Sequence, residues 1–408
     1  MPPKGGQIMN AKCQSRRDFL AAGTVLATAA GGLAGVPARA AEPPDPRKTR
    51  SYNPDMVYRR LGKTNLMVSA VCLGGHWKRL MMLVPTGFKG PHWLRDVILD
   101  DPDFRKNRYD VVSRCIEKGI NYIDACTGPE CIAYSRALRG RRESVYLGWS
   151  WYEKEARFPD WRSADKLMQG LDEGLRETQQ EYVDLWRITI NQDRVHSPRE
   201  TEEIIEALYR AKKQGKARFT GVSTHNRAVL AMLFEYYPNE IDAVCTPYTA
   251  DSKGEAPATE GQLFPVGPRE VTAGAQAAAG DPWARASRHR AAFFDAALKY
   301  DVGIFGIKPF ASHAIFKGDG NPKGPHVEED NRVARLTIRY ILENKAITAP
   351  IPGLASVEEV DNVALAIQEY KQQARLSPQE RSEVARVGKQ MWERLPQHYQ
   401  WLKDWRYV

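Results

Sequence analysis

Residues 182–223 read YVDLWRITINQDRVHSPRETEEIIEALYRAKKQGKARFTGVS. An apolar run, rich in β-branched and aromatic residues, covers Asp184–Asn191. An amphipathic stretch follows over Thr201–Gly215, and a second apolar run covers Ala217–Ser223. Lys213-Gln214-Gly215-Lys216 supplies the glycine and the basic residues that close a helix. A strand, a helix and a strand in that order lay the two strands parallel.

The same alternation extends in both directions. Strand-like runs occur at Val68–Gly74, Ile120–Cys126, Ser144–Ser150, Ala243–Thr249, Gly303–Pro309 and Ile347–Gly353, and helical stretches at Ser163–Thr178, Arg227–Tyr237, Ala284–Asp301 and Arg335–Lys345. Tyr58–Ser69 reads as a polar hairpin around Gly62-Lys63-Thr64-Asn65. Regular alternation of this length predicts a closed (β/α)8 barrel, the TIM-barrel class of α/β fold. An open doubly wound sheet would place a glycine-rich phosphate loop after its first strand, and Leu73-Gly74-Gly75-His76 is too short for one.

Three segments fall outside the alternation. His76–Lys106 is a long loop after the first strand, and Asp251–Pro282 is a Gly/Ala/Pro-rich insertion after the sixth. Both lie on the strands' C-terminal side, where barrels bind substrate, so both are candidate covers; solvated surface insertions are the alternative. Leu376–Val408 reads as a helix, Pro378–Glu393, followed by an aromatic tail with Trp401 and Trp405. A partner-binding role for that tail is a separate possibility.

The N-terminus carries Ser15-Arg16-Arg17-Asp18-Phe19-Leu20, then the Ala/Gly-rich uncharged stretch Ala21–Val36, then Ala38-Arg39-Ala40. A paired arginine, a weakly apolar run and small residues at a cleavage point predict a twin-arginine signal over residues 1–40. The run is short and poor in Leu and Ile for a stable membrane anchor. The expected layout is then a linker over 41–56, the barrel over 57–370, and a C-terminal helix and tail over 371–408. The export machinery is an expected partner, and the expected location is periplasmic or extracellular. Because that route moves folded proteins, it favours a cofactor held tightly before export.

The chain has 408 residues and a formal net charge of +9. Removing the signal brings the charge near +5. That modest excess, without a local basic run, argues against nucleic-acid binding. Cys13 leaves with the signal. Cys72, Cys115 and Cys245 read as buried thiols, whereas Cys126 and Cys131 could pair as a disulfide. No CxxC and no metal-ligand cluster is legible, so no metal is expected.

Several segments resemble the aldo/keto reductase superfamily. They are Tyr58–Leu73 (YRRLGKTNLMVSAVCL), Gly119–Asp124 (GINYID), Arg136–Val145 (RALRGRRESV), Tyr182–Ile188 (YVDLWRI), Gly215–Ser223 (GKARFTGVS), and Ile351-Pro352-Gly353 with Ser356 to Asn362. The resemblance spans roughly residues 57–370. It implies a small-molecule substrate and hydride transfer between a nicotinamide and a carbonyl or alcohol. In that chemistry a tyrosine donates the proton, a lysine and an aspartate tune it, and a histidine orients the substrate.

Asp124 matches the aspartate. The tyrosine is expected within Ala125-Cys126-Thr127-Gly128-Pro129, which contains none; Ser150 stands at the lysine's place and Thr189 at the histidine's. Two readings follow. Either the redox chemistry persists with substituted groups, Tyr134 or Tyr152 as acid with Glu130 or Arg187 nearby, or the barrel is redox-silent and works as a ligand binder, or as a lyase or hydrolase through Asp124 and Glu130. Tyr134 falls on the apolar face of Cys131–Leu138 and also reads as core. Cys126 is a possible nucleophile without a histidine beside it in sequence.

The resemblance also implies an NAD(P) site. Gly353 leads through Ser356, a candidate helix N-cap, into Val357–Tyr370, with Glu358 or Glu359 and Asn362 at adenine-side positions and Ser223 at the carboxamide position or in a plain strand-end turn. Lys308, a charge at the end of an apolar strand, suits a ligand phosphate or a salt bridge at the barrel mouth. Trp149, Trp151, Tyr152, Trp161, Trp186 and Arg187 crowd the predicted mouth. Indoles stacking on a sugar-derived substrate would explain them, and so would core packing.

Overall fold

The computed structural model describes residues 44–190, 196–225, 227–252, 293–395 and 397. Residues 1–40, nearly all of the Asp251–Pro282 insertion, and Trp401 and Trp405 lie outside them.

Strands β1 (Tyr58–Arg60) and β2 (Met67–Ser69) pair antiparallel, Tyr58 opposite Ser69. The parallel sheet follows chain order through β3 (Tyr122–Ala125), β4 (Tyr146–Trp149), β5 (Val183–Thr189), β6 (Ala217–Ser223), β7 (Ala243–Pro247), β8 (Gly303–Ile307) and β9 (Ala349–Ile351). The eighth stave is short. Leu73 bridges Ile123 and Gly74 bridges Gly353, both in parallel, and the Gly74 N–H donates to the Pro352 carbonyl at 2.7 Å. That stave closes the ring between β9 and β3.

The expected strand Val68–Gly74 is therefore two pieces. Met67–Ser69 belongs to the hairpin, and the Ser69 N–H donates to Asn121 Oδ1 at 2.8 Å. Only the last residues join the barrel. Both pieces are buried, so the apolar pattern runs on without marking the break.

Inside the ring, alternate strand residues Tyr122, Leu185, Ala243, Cys245, Phe305, Ala349 and Ile351 form one apolar cluster with Leu61, Leu66 and Val68 of the hairpin. The hairpin thus plugs the ring's N-terminal end. Gly62 makes this approach possible: its φ is +46°, and a Cβ would sit 2.4 Å from the Gly303 nitrogen. The larger core lies between the sheet and the helices, and it takes up Trp149, Trp151 and Trp186.

Among the described residues the helices are α1 (Leu80–Leu83), α2 (Pro102–Glu117), α3 (Gly128–Ala137), α4 (Ala164–Thr178), α5 (Pro198–Lys213), α6 (Arg227–Tyr236), α7 (Phe293–Lys299), α8 (Val327–Leu342), α9 (Val357–Gln372) and α10 (Pro378–Glu393). Helix α5 begins three residues before its apolar periodicity, because Ser197 and Glu200 form a capping box around Pro198. Helix α10 lies where its pattern places it, and Trp392 Nε1 near its end donates to Asp251 Oδ2 at 2.9 Å. Because β3 to β9 are parallel, the residues just after them share one rim, and the site is built there.

Candidate active site

Asp124, on β3, meets Arg187, on β5. Nε donates to Oδ1 at 3.0 Å and the second guanidinium nitrogen to Oδ2, a fork-to-carboxylate pair. Both side chains are buried. Gly148 on the intervening β4 keeps that span open: a Cβ there would lie 1.9 Å from Tyr122 Oη and 3.3 Å from Asp124 Oδ1. Burial opposes the charge on Arg187, and the facing carboxylate more than offsets it, so the guanidinium stays well above its ordinary range.

The ends of β4 and β5 carry a second carboxylate that the sequence reading did not single out. Glu155 is buried and accepts from the Ser150 hydroxyl, from the Thr189 N–H at 3.2 Å and from Arg157 at 3.0 Å. The places expected for the lysine and the histidine are therefore tied into one hydrogen-bonded group.

Tyr134 is fully buried on α3. Its hydroxyl donates to the Gly74 carbonyl at 2.7 Å, its ring packs edge-on against Trp77, and burial pushes the phenol up. It ties α3 to the short stave, which corrects its candidacy as an acid at the mouth. Tyr152 is part-exposed, with Arg157 stacked 3.8 Å over its ring. Trp149 and Trp151 pack edge to face against each other and, with Trp186, are buried; they offer no stacking surface for a sugar.

Beside Asp124 the rim gathers His76, Cys126 and Glu130. Cys126 Sγ lies 3.4 Å from His76 Nδ1 and 3.7 Å from Nε2. The same Nδ1 lies 3.2 Å from Glu130 Oε1. Glu130 is buried in the first turn of α3, where it accepts from the Cys126 N–H at 2.8 Å and the His76 N–H at 2.5 Å. Its charge is held by His76 and these donors, which outweigh burial and set its pKa below the usual value. Cys126 and Cys131 are both free thiols, which overturns the disulfide alternative. The histidine partner missing from the neighbouring sequence comes from fifty residues upstream, where Gly74-Gly75-His76 ends the short stave.

The rim at the end of β8 is basic. Lys308 follows β8 with φ +56°, and Ala311, Ser312 and His313 also have positive φ (44°, 57° and 71°). Non-glycine residues held in this region concentrate at ligand clamps and active sites. Lys78 Nζ donates to Ser312 Oγ, and Arg79 donates to the Gly318 carbonyl at 3.1 Å. Burial pulls the Lys308 ammonium down to about 8. Lys78 is pulled down to about 7, by burial and by the charge of Lys308.

Ser356 caps α9 as expected, accepting from the Glu359 N–H at 3.3 Å. Glu359 folds back to accept from the Ala355 N–H at 2.6 Å, and Arg108 pins the loop by donating to the Leu354 and Ala355 carbonyls, both at 2.9 Å. Gly353 packs against Gly75, whose carbonyl would lie 2.3 Å from a Cβ. Asn362 is tied to α8 by Arg335 at 2.7 Å and by the Asn331 carbonyl at 3.1 Å. Ser223 is buried at the end of β6. The structure thus brings Asp124, Ser223, Lys308, Gly353 and Ser356 to the same rim, while Glu359 and Asn362 are engaged within α8, α9 and the preceding loop.

Residues 103–250 match the family model described as the aldo/keto reductase family. Among solved structures, the chain is similar to the holo form of aldo-keto reductase AKR11C1 from Bacillus halodurans, at 18% identity over 81% of this chain and 96% of that one, with a TM-score of 0.53. It is similar also to an aldo-keto reductase from Klebsiella pneumoniae in complex with NADPH, at 17% identity over 81% and 95%, with a TM-score of 0.52. At these identities the structural likeness concerns the fold.

Proposed function

We propose that the chain, whose residues 103–250 match the aldo/keto reductase family model, is an NAD(P)-dependent oxidoreductase acting on a carbonyl or alcohol. The observation that carries this reading is the basic side of the rim. Lys78 and Lys308 stand close enough for one charge to disfavour the other, and an anion between two such ammoniums stabilises both. The cofactor's phosphates are anions of that kind, and the Klebsiella pneumoniae relative was solved with NADPH. Glu359 already occupies the Ala355 amide, so Lys78, Lys308 and the left-handed turn at Ser312 are the expected phosphate partners.

The bound nicotinamide supplies the hydride, or accepts it in the reverse direction. Arg187, held by Asp124, places a fixed positive charge under the rim, where an electron-rich carbonyl oxygen is stabilised. Buried charge of this kind is oriented before substrate arrives. Ser150, Thr189 and Glu155 hold the ends of β4 and β5 in one geometry beside it.

Mass spectrometry of natively purified protein should find NAD(P), and NADPH added at about 100 times its Kd should stabilise the fold by about 2.7 kcal/mol. Lys308→Ala should remove most of that response. A second reading, a redox-silent barrel with acid/base chemistry, draws on the complete engagement of Asp124 by Arg187 and on Ser150 and Thr189 at the tetrad's places. It predicts no response to NADPH and a cofactor-free activity that falls in Asp124→Asn.

The cofactor is proposed to be loaded before export through the twin-arginine route, with the mature protein periplasmic or extracellular. No helix among the described residues is long and apolar enough to cross a membrane. Cell fractionation of an Arg16→Lys/Arg17→Lys variant checks the location: it should remain in the cytoplasm.

A further inference from the structure

We propose that His76, Cys126 and Glu130 form a binding site for a divalent transition-metal ion, zinc by the character of the donors. An imidazole nitrogen, a sulfur and a carboxylate oxygen lie within 4.8 Å of one another. That is a borderline-soft donor set of the kind zinc takes. Ligands placed tetrahedrally around zinc, 2.0–2.3 Å from it, stand about 3.3–3.6 Å apart. The two separations at His76 Nδ1 are 3.4 Å to Cys126 Sγ and 3.2 Å to Glu130 Oε1. The imidazole is part-exposed, and three protein ligands with a fourth place left to water or substrate is the pattern of catalytic zinc.

A nucleophile–base–carboxylate relay is the rival account of the same three residues. A relay uses the two opposite nitrogens of the histidine ring, one toward the nucleophile and one toward the carboxylate. Here sulfur and carboxylate both make their nearer approach to Nδ1, while Nε2 stands farther from the sulfur at 3.7 Å. Sulfur and carboxylate therefore do not bracket the ring as a relay requires, and a turn of the imidazole beside the sulfur brings all three donors round one ion.

The surroundings fix the ligands in place. Gly75 makes room for Glu130, whose carboxylate atoms would lie 2.2–2.4 Å from a Cβ at that position. The Cys126 and His76 N–H groups orient the carboxylate, and hydrogen bonds of that sort tune metal affinity. His76 is held at φ +59°, and the Trp93 ring packs 4.8 Å from its centre. Asp124 and Arg187 lie behind the site. Such an ion supplies Lewis acidity toward a carbonyl oxygen, at the rim position where the superfamily's proton-donating tyrosine is missing. That role rests on the oxidoreductase reading; binding itself does not.

The test is titration of chelator-treated, full-length protein with Co2+, followed by absorption spectroscopy. The expected result is one equivalent bound, with a cobalt–thiolate charge-transfer band that Zn2+ abolishes by displacement. Cys126→Ser should lose the band, and Cys131→Ser, which changes the adjacent buried thiol, should keep it. Competition with a chromophoric chelator should show His76→Ala and Glu130→Gln weakening zinc binding by more than the about 10–100-fold typical of losing an outer-shell partner. The proposal is overturned if no band forms in the parent protein, or if the band survives Cys126→Ser, or if both His76→Ala and Glu130→Gln bind zinc as tightly as the parent. Thermal shift with NADPH, run alongside, separates the two readings. A cobalt band without a nucleotide response defeats the oxidoreductase reading and keeps the metal site; a nucleotide response without the band does the reverse.

Discussion

The two sides of the barrel mouth are built from the same strand–helix unit and hold their polar groups in opposite ways. At the ends of β3 to β5, charge meets opposite charge: Asp124 with Arg187 and Glu155 with Arg157. After β8, like charges face each other at Lys78 and Lys308, and the backbone from Lys308 to His313 is repeatedly left-handed. The first side closes its electrostatics within the fold. The second sets two buried ammoniums near each other beside that turn. The superfamily's reaction residues are replaced on the self-satisfied side, and the inferred nucleotide contacts lie on the other.

The comparison breaks most readily at Arg187. Arg187→Ala leaves a buried carboxylate without its guanidinium, and the expected loss is about 3–5 kcal/mol, read from urea denaturation. The double variant Asp124→Leu/Arg187→Met should recover most of it, because apolar groups of similar volume replace a buried pair at little cost. Recovery by the double variant would assign the pair's stability to mutual neutralisation. Failure to recover would mean that the pair positions β3 against β5 in some further way.

That pair also marks how far the sequence could be read. The strands were legible because each carries a short apolar run ended by turn residues, and β6 falls at the predicted Ala217–Ser223. Tyr134 was legible as core from the apolar face of Cys131–Leu138. Partners far apart in sequence were not. Asp124 and Arg187 are 63 residues apart, and His76 and Glu130 are 54 apart. Side-by-side pairing of neighbouring strands brings them together, and no local pattern records it. Gly75 illustrates the same limit. In sequence it reads as half of a glycine pair; in the fold, a Cβ there would lie 2.2 Å from the Glu130 carboxyl carbon. Gly75→Ala should therefore cost about 1–3 kcal/mol as an overpacking change, and it should also weaken zinc binding. A normal melting temperature with normal zinc affinity would show that Glu130 has another place to sit.

On the basic side the expected stability effect is smaller and depends on pH. Burial lowers the Lys308 pKa from 10.5 to about 8, so the unfolded chain binds more protons in that interval and stability rises with pH from about 8 to 10.5. Lys308→Met should flatten that rise in the nucleotide-free protein. At neutral pH it should be no less stable than the parent, the reverse of what Arg187→Ala does. Denaturation midpoints at pH 7, 8.5 and 10 check the sign, and a parallel dependence in both proteins would remove Lys308 from the account.

Tyr134→Phe sets the smallest effect and distinguishes architecture from chemistry. The hydroxyl donates to the Gly74 carbonyl, and Gly74 is half of the bridge that closes the ring at Gly353. Removing it leaves a buried carbonyl short of a donor, at an expected cost of about 0.5–1.5 kcal/mol. Because the phenol is enclosed by α3, Trp77 and the short stave, turnover at a temperature where both proteins are folded should be unchanged. A large fall in kcat with unaltered stability would return the tyrosine to the reaction, and the division between a structural and a chemical side of the mouth would have to be redrawn around α3.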